Sequence, residues 1–345
     1  MHKRFTFVQE DRPAEEWLAR FVAGREAARR WYLGDRQAAR PAGDALNWHH
    51  GGGRGEPPTA AECRAALARH MPELLKGYDR ACAMVGDDPL DHCILSHYRP
   101  VPEVAGCTVA VWLGEGGPAL ARNYDFPLAT VSDRFELTDW SGRRRVIGKA
   151  QRPWGGLHDG MNDDGLAVAM TFGGSPAQGL GFAVILIVRY LLETCGSVGE
   201  AIEALVRIPI ALSHNVMLLD RHGDHATVYL GPDRAPAVTR DRVTTNHQET
   251  VVWPELAARS LTVERLRVVQ AALADPATTL STLVGRFLER PVYSRAARSP
   301  TAYTAVYRPA EARVDFIWPG TIRDQRFERF DEGEYDHDFG DLTPS

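Results

Sequence analysis

The stretch Gly106-Cys107-Thr108-Val109-Ala110-Val111-Trp112-Leu113 leads through Gly114-Glu115-Gly116-Gly117 into Pro118-Ala119-Leu120-Ala121-Arg122-Asn123-Tyr124-Asp125-Phe126. Two short apolar runs around a glycine-rich turn form the pattern of a β-hairpin. Folded back on itself, the hairpin returns Arg122 and Asp125 to the strand end at which Cys107 begins. A thiol, a cation and a carboxylate then meet at one point, and that combination can make a cysteine nucleophilic.

On the amino-terminal side, residues 1–106 read as mostly helical. Ala14 to Tyr32 and Thr59 to Met84 carry Ala, Arg, Glu and apolar residues at helical spacing. A Gly/Pro-rich loop, Arg40 to Pro58, separates them, and the Pro-flanked linker Tyr98-Arg99-Pro100-Val101-Pro102-Glu103 leads to the hairpin. On the carboxyl side, short runs up to Phe172, including Val146–Gly148 and Leu166–Phe172, read as antiparallel strands. Gly181 to Cys195 is apolar on nearly every face and too long for a strand, so a buried helix is expected. Ser197, with Glu200 three residues on, opens another helix through Val206. Strands are expected at Asn215–Leu219, Ala226–Leu230 and Val243–Asn246, and helices at Leu256–Ala274 and Leu280–Leu288. A last strand pair is Ala302–Tyr307 with Arg313–Trp318. Short strands interrupted by paired helices predict an α+β fold of two antiparallel sheets covered by helix layers. Residues 1–330 form one unit on this reading: a helical segment 1–106 and a core 107–330. An acidic tail, 331–345, is expected to fray.

Composition removes several function classes. The net charge of −5 leaves no basic surface for nucleic acid, and Arg143-Arg144-Arg145 is diluted by nearby acids. The longest apolar segment, Phe182 to Val188, is far too short to span a bilayer, and the start lacks a signal-peptide pattern. Five irregularly spaced cysteines give no disulfide framework, which predicts reduced thiols in a cytoplasm. No CxxC or HExxH occurs. His49-His50 and His222-Gly-Asp-His225 are weak metal signals, the second in an expected turn. No metal or cofactor is expected.

A free cysteine is ordinarily a small core residue, and Cys63, Cys82, Cys93 and Cys195 are read that way. Cys107 differs because Gly106 precedes it: glycine permits backbone geometries suited to attack by the thiol on its own preceding carbonyl. An N-to-S acyl shift followed by hydrolysis would free Cys107 as a new chain start. Its α-amine, with a reference pKa of roughly 7.7–8.0, would then serve as base for its own thiol. Arg122 would lower the thiol pKa, and Asp125 would hold the amine. Asn246, closing Thr244-Thr245-Asn246-His247, carries an amide able to donate to an oxyanion, and His247 is a base for an alternative Cys–His arrangement.

Gly-Cys-Thr followed by Arg-Asn-Tyr-Asp-Phe resembles the aminopenicillanate acyltransferase-like family of cysteine N-terminal nucleophile hydrolases, related to choloylglycine hydrolases. So do Asp159-Gly160-Met161-Asn162-Asp163-Asp164-Gly165-Leu166-Ala167-Val168, Thr171-Phe172-Gly173-Gly174, Arg189-Tyr190-Leu191-Leu192-Glu193-Thr194-Cys195 and Thr245-Asn246-His247. The likeness runs from about Pro72 to Trp318. It implies a four-layer αββα sandwich, self-cleavage between Gly106 and Cys107, and hydrolysis or acyl transfer at a non-peptide amide through a Cys107 thioester. It casts Cys107 as nucleophile, Arg122 and Asp125 as its supports and Asn246 as oxyanion donor. A later helical arginine is matched by Arg265, with Arg267 close behind. Choloylglycine hydrolases place a second oxyanion Asn where this chain has Thr171-Phe172, so a backbone N–H there is the expected substitute. The implied partners are a small N-acyl amine and an acyl-coenzyme A or amine acceptor, and a homodimer is the default assembly. The alternatives are an uncut binding relative of the same fold, or an internal Cys107–His247 hydrolase. Trp112, Trp140, Trp154 and Phe172 are candidates for an acyl pocket, though each suits a core equally.

Overall fold

The computed structural model describes residues 1–34, 58–100, 106–151 and 155–343. The Gly/Pro-rich loop with His49-His50, most of the linker before Gly106, and Trp154 lie outside them. The strands are β1 (His2–Gln9), β2 (Gly106–Trp112), β3 (Ala119–Asp125), β4 (Arg134–Thr138), β5 (Val146–Gln151), β6 (Gly156–Asn162), β7 (Leu166–Phe172) and β8 (His214–Asp220). They continue as β9 (His225–Gly231), β10 (Arg234–Thr239), β11 (Val243–Thr244), β12 (Thr301–Arg308), β13 (Arg313–Trp318), β14 (Thr321–Arg326) and β15 (Gly333–Asp338). The helices are α1 (Glu15–Gly34), α2 (Ala60–His70), α3 (Leu75–Val85), α4 (Pro89–Ser96), α5 (Val184–Thr194), α6 (Val198–Arg207), α7 (Pro254–Ser260), α8 (Thr262–Ala274) and α9 (Leu280–Phe287).

Among the described residues, nine strands form one sheet in the order β10-β9-β8-β7-β6-β5-β4-β1-β15, and six form the other, β11-β2-β3-β12-β13-β14. All neighbours are antiparallel except β1 with β4. Period-two alternation gives each sheet two buried faces. Phe5, Phe135, Met161, Cys107, Tyr124 and Phe316 meet in a core between the sheets. The other face of the large sheet packs on α1–α6 through residues such as Leu157, Val168, Ile187 and Leu191. The outer face of the small sheet packs on α8 and α9 through Ala110, Val269 and Leu283. The result is the expected αββα sandwich.

Local chemistry sets the element ends. Thr59 and Glu62 form a reciprocal capping box on α2. Ser197 caps α6 through the Glu200 N–H, while the Glu200 carboxylate reaches back to the N–H of Gly196, one residue earlier than a capping box would place it. The single helix expected over Leu256–Ala274 is two, because Leu261 takes a left-handed turn at φ 50°. That break swings the first turn of α8 toward the start of β2.

Two expectations at the chain ends are corrected. Residues 1–106 begin with a strand, and the acidic tail does not fray. Acids of β15 pair with a base of β1: Arg4 meets Glu334 at 3.1 Å and Asp336 at 3.1 Å. The acidity that read as a tail is cross-strand complementarity, while Phe5 and Phe7 bury the other face of β1. Cutting the chain at Gly106 would therefore leave the first fragment stitched into the large sheet between β4 and β15.

Candidate active site

Register alone assembles the first part of the site. In the β2–β3 hairpin Gly106 lies opposite Asp125, Cys107 opposite Tyr124 and Val109 opposite Arg122. A Cβ on Gly106 would sit 2.9 Å from the Asp125 Cβ and 3.1 Å from its Oδ2. Glycine is needed here for space: no larger residue fits between the strand and this carboxylate.

Cys107 is fully buried. Burial pushes its thiol up to about 11, with Arg122 pulling the other way. Arg122 Nη2 lies 3.6 Å from Sγ, and its Nη1 donates to the His158 carbonyl at 2.7 Å and to Asp159. Asp159 also accepts from the hydroxyls of Tyr303 and Tyr307. A buried carboxylate held by three donors thus aims the guanidinium at the thiol. Sequence reading assigned Asp159 no role, although it opens one of the strings that carried the family resemblance.

Asp125 accepts from the Thr301 hydroxyl at 2.6 Å and lies 3.6 Å from Arg265. Burial raises its pKa, against the pull of Arg265 and the Thr301 hydrogen bond. Arg265 enters from the first turn of α8. Its Nη1 donates to the Cys107 carbonyl at 2.5 Å and to Thr108 Oγ1 at 2.8 Å, and its Nη2 donates to Asn246 Oδ1 at 2.5 Å. Burial lowers the Arg265 pKa, with Asp125 opposing. Arg267 is exposed, so of the two arginines Arg265 is the one that reaches Cys107.

Asn246 follows β11, the strand paired with β2. Its Oδ1 accepts the Cys107 backbone N–H at 3.0 Å as well as Arg265. Two donors on one oxygen fix the carboxamide rotamer and leave its NH₂ as the donor side. The loop is braced from behind. Asn215 Nδ2 donates to the carbonyls of Thr245 at 3.1 Å and His247 at 3.0 Å. The Thr171 hydroxyl donates to the Thr245 carbonyl at 2.7 Å. Gly174, at φ +75°, comes so close that a Cβ would lie 2.5 Å from the Asn246 carbonyl oxygen. The Thr171 side chain therefore supports the Asn246 loop, and Phe172 beside it is buried edge-on against His214.

His247 turns elsewhere. Its Nδ1 sits 2.9 Å from Thr262 Oγ1, and among the described residues no hydrogen bond joins it to Cys107. The tryptophans also part company with the site. Trp112 packs toward α8 and α9 and donates to the Glu115 carbonyl, and Trp140 lies under Arg189 on the far face of the large sheet. Among the described residues no cluster of three or more His, Cys, Asp or Glu is arranged to hold a metal, and no helix is long and apolar enough to cross a membrane.

Comparison with known proteins follows the same line. No curated protein matches the chain. Similar solved structures include a mutant of conjugated bile acid hydrolase from Clostridium perfringens. It is 13% identical, with 69% of this chain and 98% of that one covered, at a TM-score of 0.49. Penicillin V acylase from Agrobacterium tumefaciens is 17% identical over 65% of this chain and 87% of its own, at 0.46. The Caenorhabditis elegans ortholog of N-acylethanolamine-hydrolyzing acid amidase is 13% identical over 59% and 93%, at 0.42. The family model described as acyl-coenzyme A:6-aminopenicillanic acid acyl-transferase matches residues 112–323, a span holding Arg122, Asp125, Asn246 and Arg265. With that match over more than half its length, the chain belongs to the acyl-coenzyme A:6-aminopenicillanic acid acyl-transferase family.

Proposed function

We propose that this protein is a self-processing cysteine amidohydrolase or acyltransferase acting on a small, non-peptide N-acyl amine. The observation that carries this is the convergence of Arg122, Asn246 and Arg265 on Cys107, directly after a glycine at which any side chain would collide with Asp125. In the first step Cys107 Sγ attacks the Gly106 carbonyl carbon. The C–N bond breaks as the thioester forms, and the Cys107 nitrogen leaves as an amine. Water then hydrolyses the thioester, giving a Gly106 carboxylate and a free thiol.

The cut changes the proton balance. Within the peptide the thiol is held up by burial, and the Cys107 nitrogen, an amide, cannot serve as its base. Once free, the α-amine takes the thiol proton, and Arg122 stabilises the thiolate. The thiolate attacks the substrate carbonyl, the Asn246 NH₂ donates to the oxyanion, and the α-ammonium protonates the departing amine. Water, or a second amine, releases the acyl group from sulfur. Arg265 and Asp125 act by position: Arg265 fixes Asn246 and the Cys107 carbonyl, and Asp125 accepts from the new ammonium.

Turnover of a panel of N-acyl amines, with and without an acceptor amine, tests the reading. Wild-type protein should release amine from at least one member, and Cys107→Ala should abolish release. Equal activity in Cys107→Ala would refute it.

A further inference from the structure

A second concave site lies on the other side of the large sheet, among the helices. It encloses about 580 Å³ of empty space, part of it open to solvent, between α1, α2, α3, α4 and α5. Trp17, Leu67, Tyr78, Ala81, Leu95 and Leu186 supply apolar parts of its wall, and all six belong to the core on that face of the sheet, away from Cys107. Its apolar wall, with a few polar groups set in it, has the character of a small-molecule site.

The polar groups in the wall are unusual. Glu193 is 1% exposed, and among the described residues its Oε2 makes no well-aligned hydrogen bond. Burial raises its pKa, while Arg189 and the Ser141 hydroxyl favour its charged form. Its Oε1 accepts from Arg189 at 3.0 Å. That guanidinium is already engaged by the Gly155 carbonyl, Thr138 and Glu136, and its face lies 4.1 Å from the Trp140 ring. Arg189 thus meets two buried carboxylates, of which Glu136 also has Arg134 at 3.5 Å. The indole N–H groups of Trp17 and Trp140, both in the wall, are likewise buried without acceptors among the described residues. A buried polar atom left unpaired costs free energy, and a native structure retains it where something else completes it.

Gly77 adds an independent sign. It sits inside α3, where glycine weakens a helix. Yet a Cβ there would meet nothing within 4 Å. No close packing calls for glycine at this place, and Gly77 lies in the wall of the cleft.

We propose that the cleft binds a small apolar amine, with its ammonium paired to Glu193 Oε2 and its body against Trp17, Tyr78 and Leu95. An aromatic wall beside a buried carboxylate favours a cation over a neutral molecule of the same shape. An oxygen on the amine would accept from the indole N–H groups. Binding here is separate from the chemistry at Cys107, so it is read without turnover.

Benzylamine, 2-amino-1-phenylethanol and the neutral match benzyl alcohol are titrated into full-length protein up to about 10 mM, followed by calorimetry and tryptophan fluorescence. The amines should bind, at least roughly tenfold more tightly than benzyl alcohol, and Glu193→Gln should remove that preference. Gly77→Leu fills the cleft from a helix that accepts leucine well, and should abolish binding while the protein stays folded. No binding by either amine, equal binding of benzyl alcohol, or amine binding unchanged in folded Gly77→Leu protein would each overturn the proposal.

Discussion

Arg265 Nη2 donates to Asn246 Oδ1 at 2.5 Å, while Nη1 of the same side chain reaches the Cys107 carbonyl. One planar fork therefore positions both Asn246 and Cys107, the oxyanion donor and the nucleophile of the proposed mechanism. Lysine keeps the charge but cannot make both contacts. Arg265→Lys should lower kcat by about 10²-fold, in the range for loss of an aligned oxyanion donor, with a smaller change in KM. Steady-state kinetics on a cleaved sample checks this; a kcat within a factor of about two of wild type would remove Arg265 from the positioning role.

Gly106 is crowded by Asp125. Alanine at this position must displace either the strand or the carboxylate, so Gly106→Ala should slow chain cleavage by at least roughly tenfold. A gel time course after synthesis in a cell-free system reads the rate. Cleavage at the wild-type rate would mean that the contact has no bearing on the cut.

Asp159 and Arg122 form a buried pair in the core between the sheets. Removing one charge leaves the other uncompensated, which ordinarily costs about 3–5 kcal/mol. Asp159→Asn should lower the urea midpoint accordingly, and Tyr303→Phe, which deletes one hydrogen bond to a charged group, should cost about 1.5–3 kcal/mol. A near-neutral Asp159→Asn would show that the carboxylate is dispensable to the fold.

His214 is buried at the start of β8, and burial lowers its pKa to about 4. The unfolded chain, with its imidazole near the ordinary value of about 6.5, binds the proton first as pH falls. Stability from this residue is therefore full above about 6.5 and is lost progressively down to about 4, amounting to as much as about 3 kcal/mol. His214→Gln should flatten that part of the stability-against-pH curve. An unchanged slope in the variant would place the acid sensitivity elsewhere.

The hairpin was legible because turn glycines and apolar runs are local signals, and register then carries Arg122 and Asp125 to Cys107 without further information. The buried helix α5 was legible from its apolar length, but its buried Arg189–Glu193 pair was given no structural role. β1 and β15 were missed because their pairing spans the whole chain, so charges that complement each other in space looked like solvated ends in sequence. Asp159, Tyr303 and Tyr307 escaped for the same reason: three strands bring them to Arg122, and no local pattern marks them. Asn215 could have been flagged as a lone amide inside an apolar run, but its task, bracing the Asn246 loop, exists only in three dimensions.

The central claim is that Cys107 works as a chain start. Intact mass and amino-terminal sequencing of purified, active protein test it most directly. The account predicts two pieces, 1–106 and 107–345, with the larger one beginning at Cys107. A single full-length mass in fully active protein would contradict it.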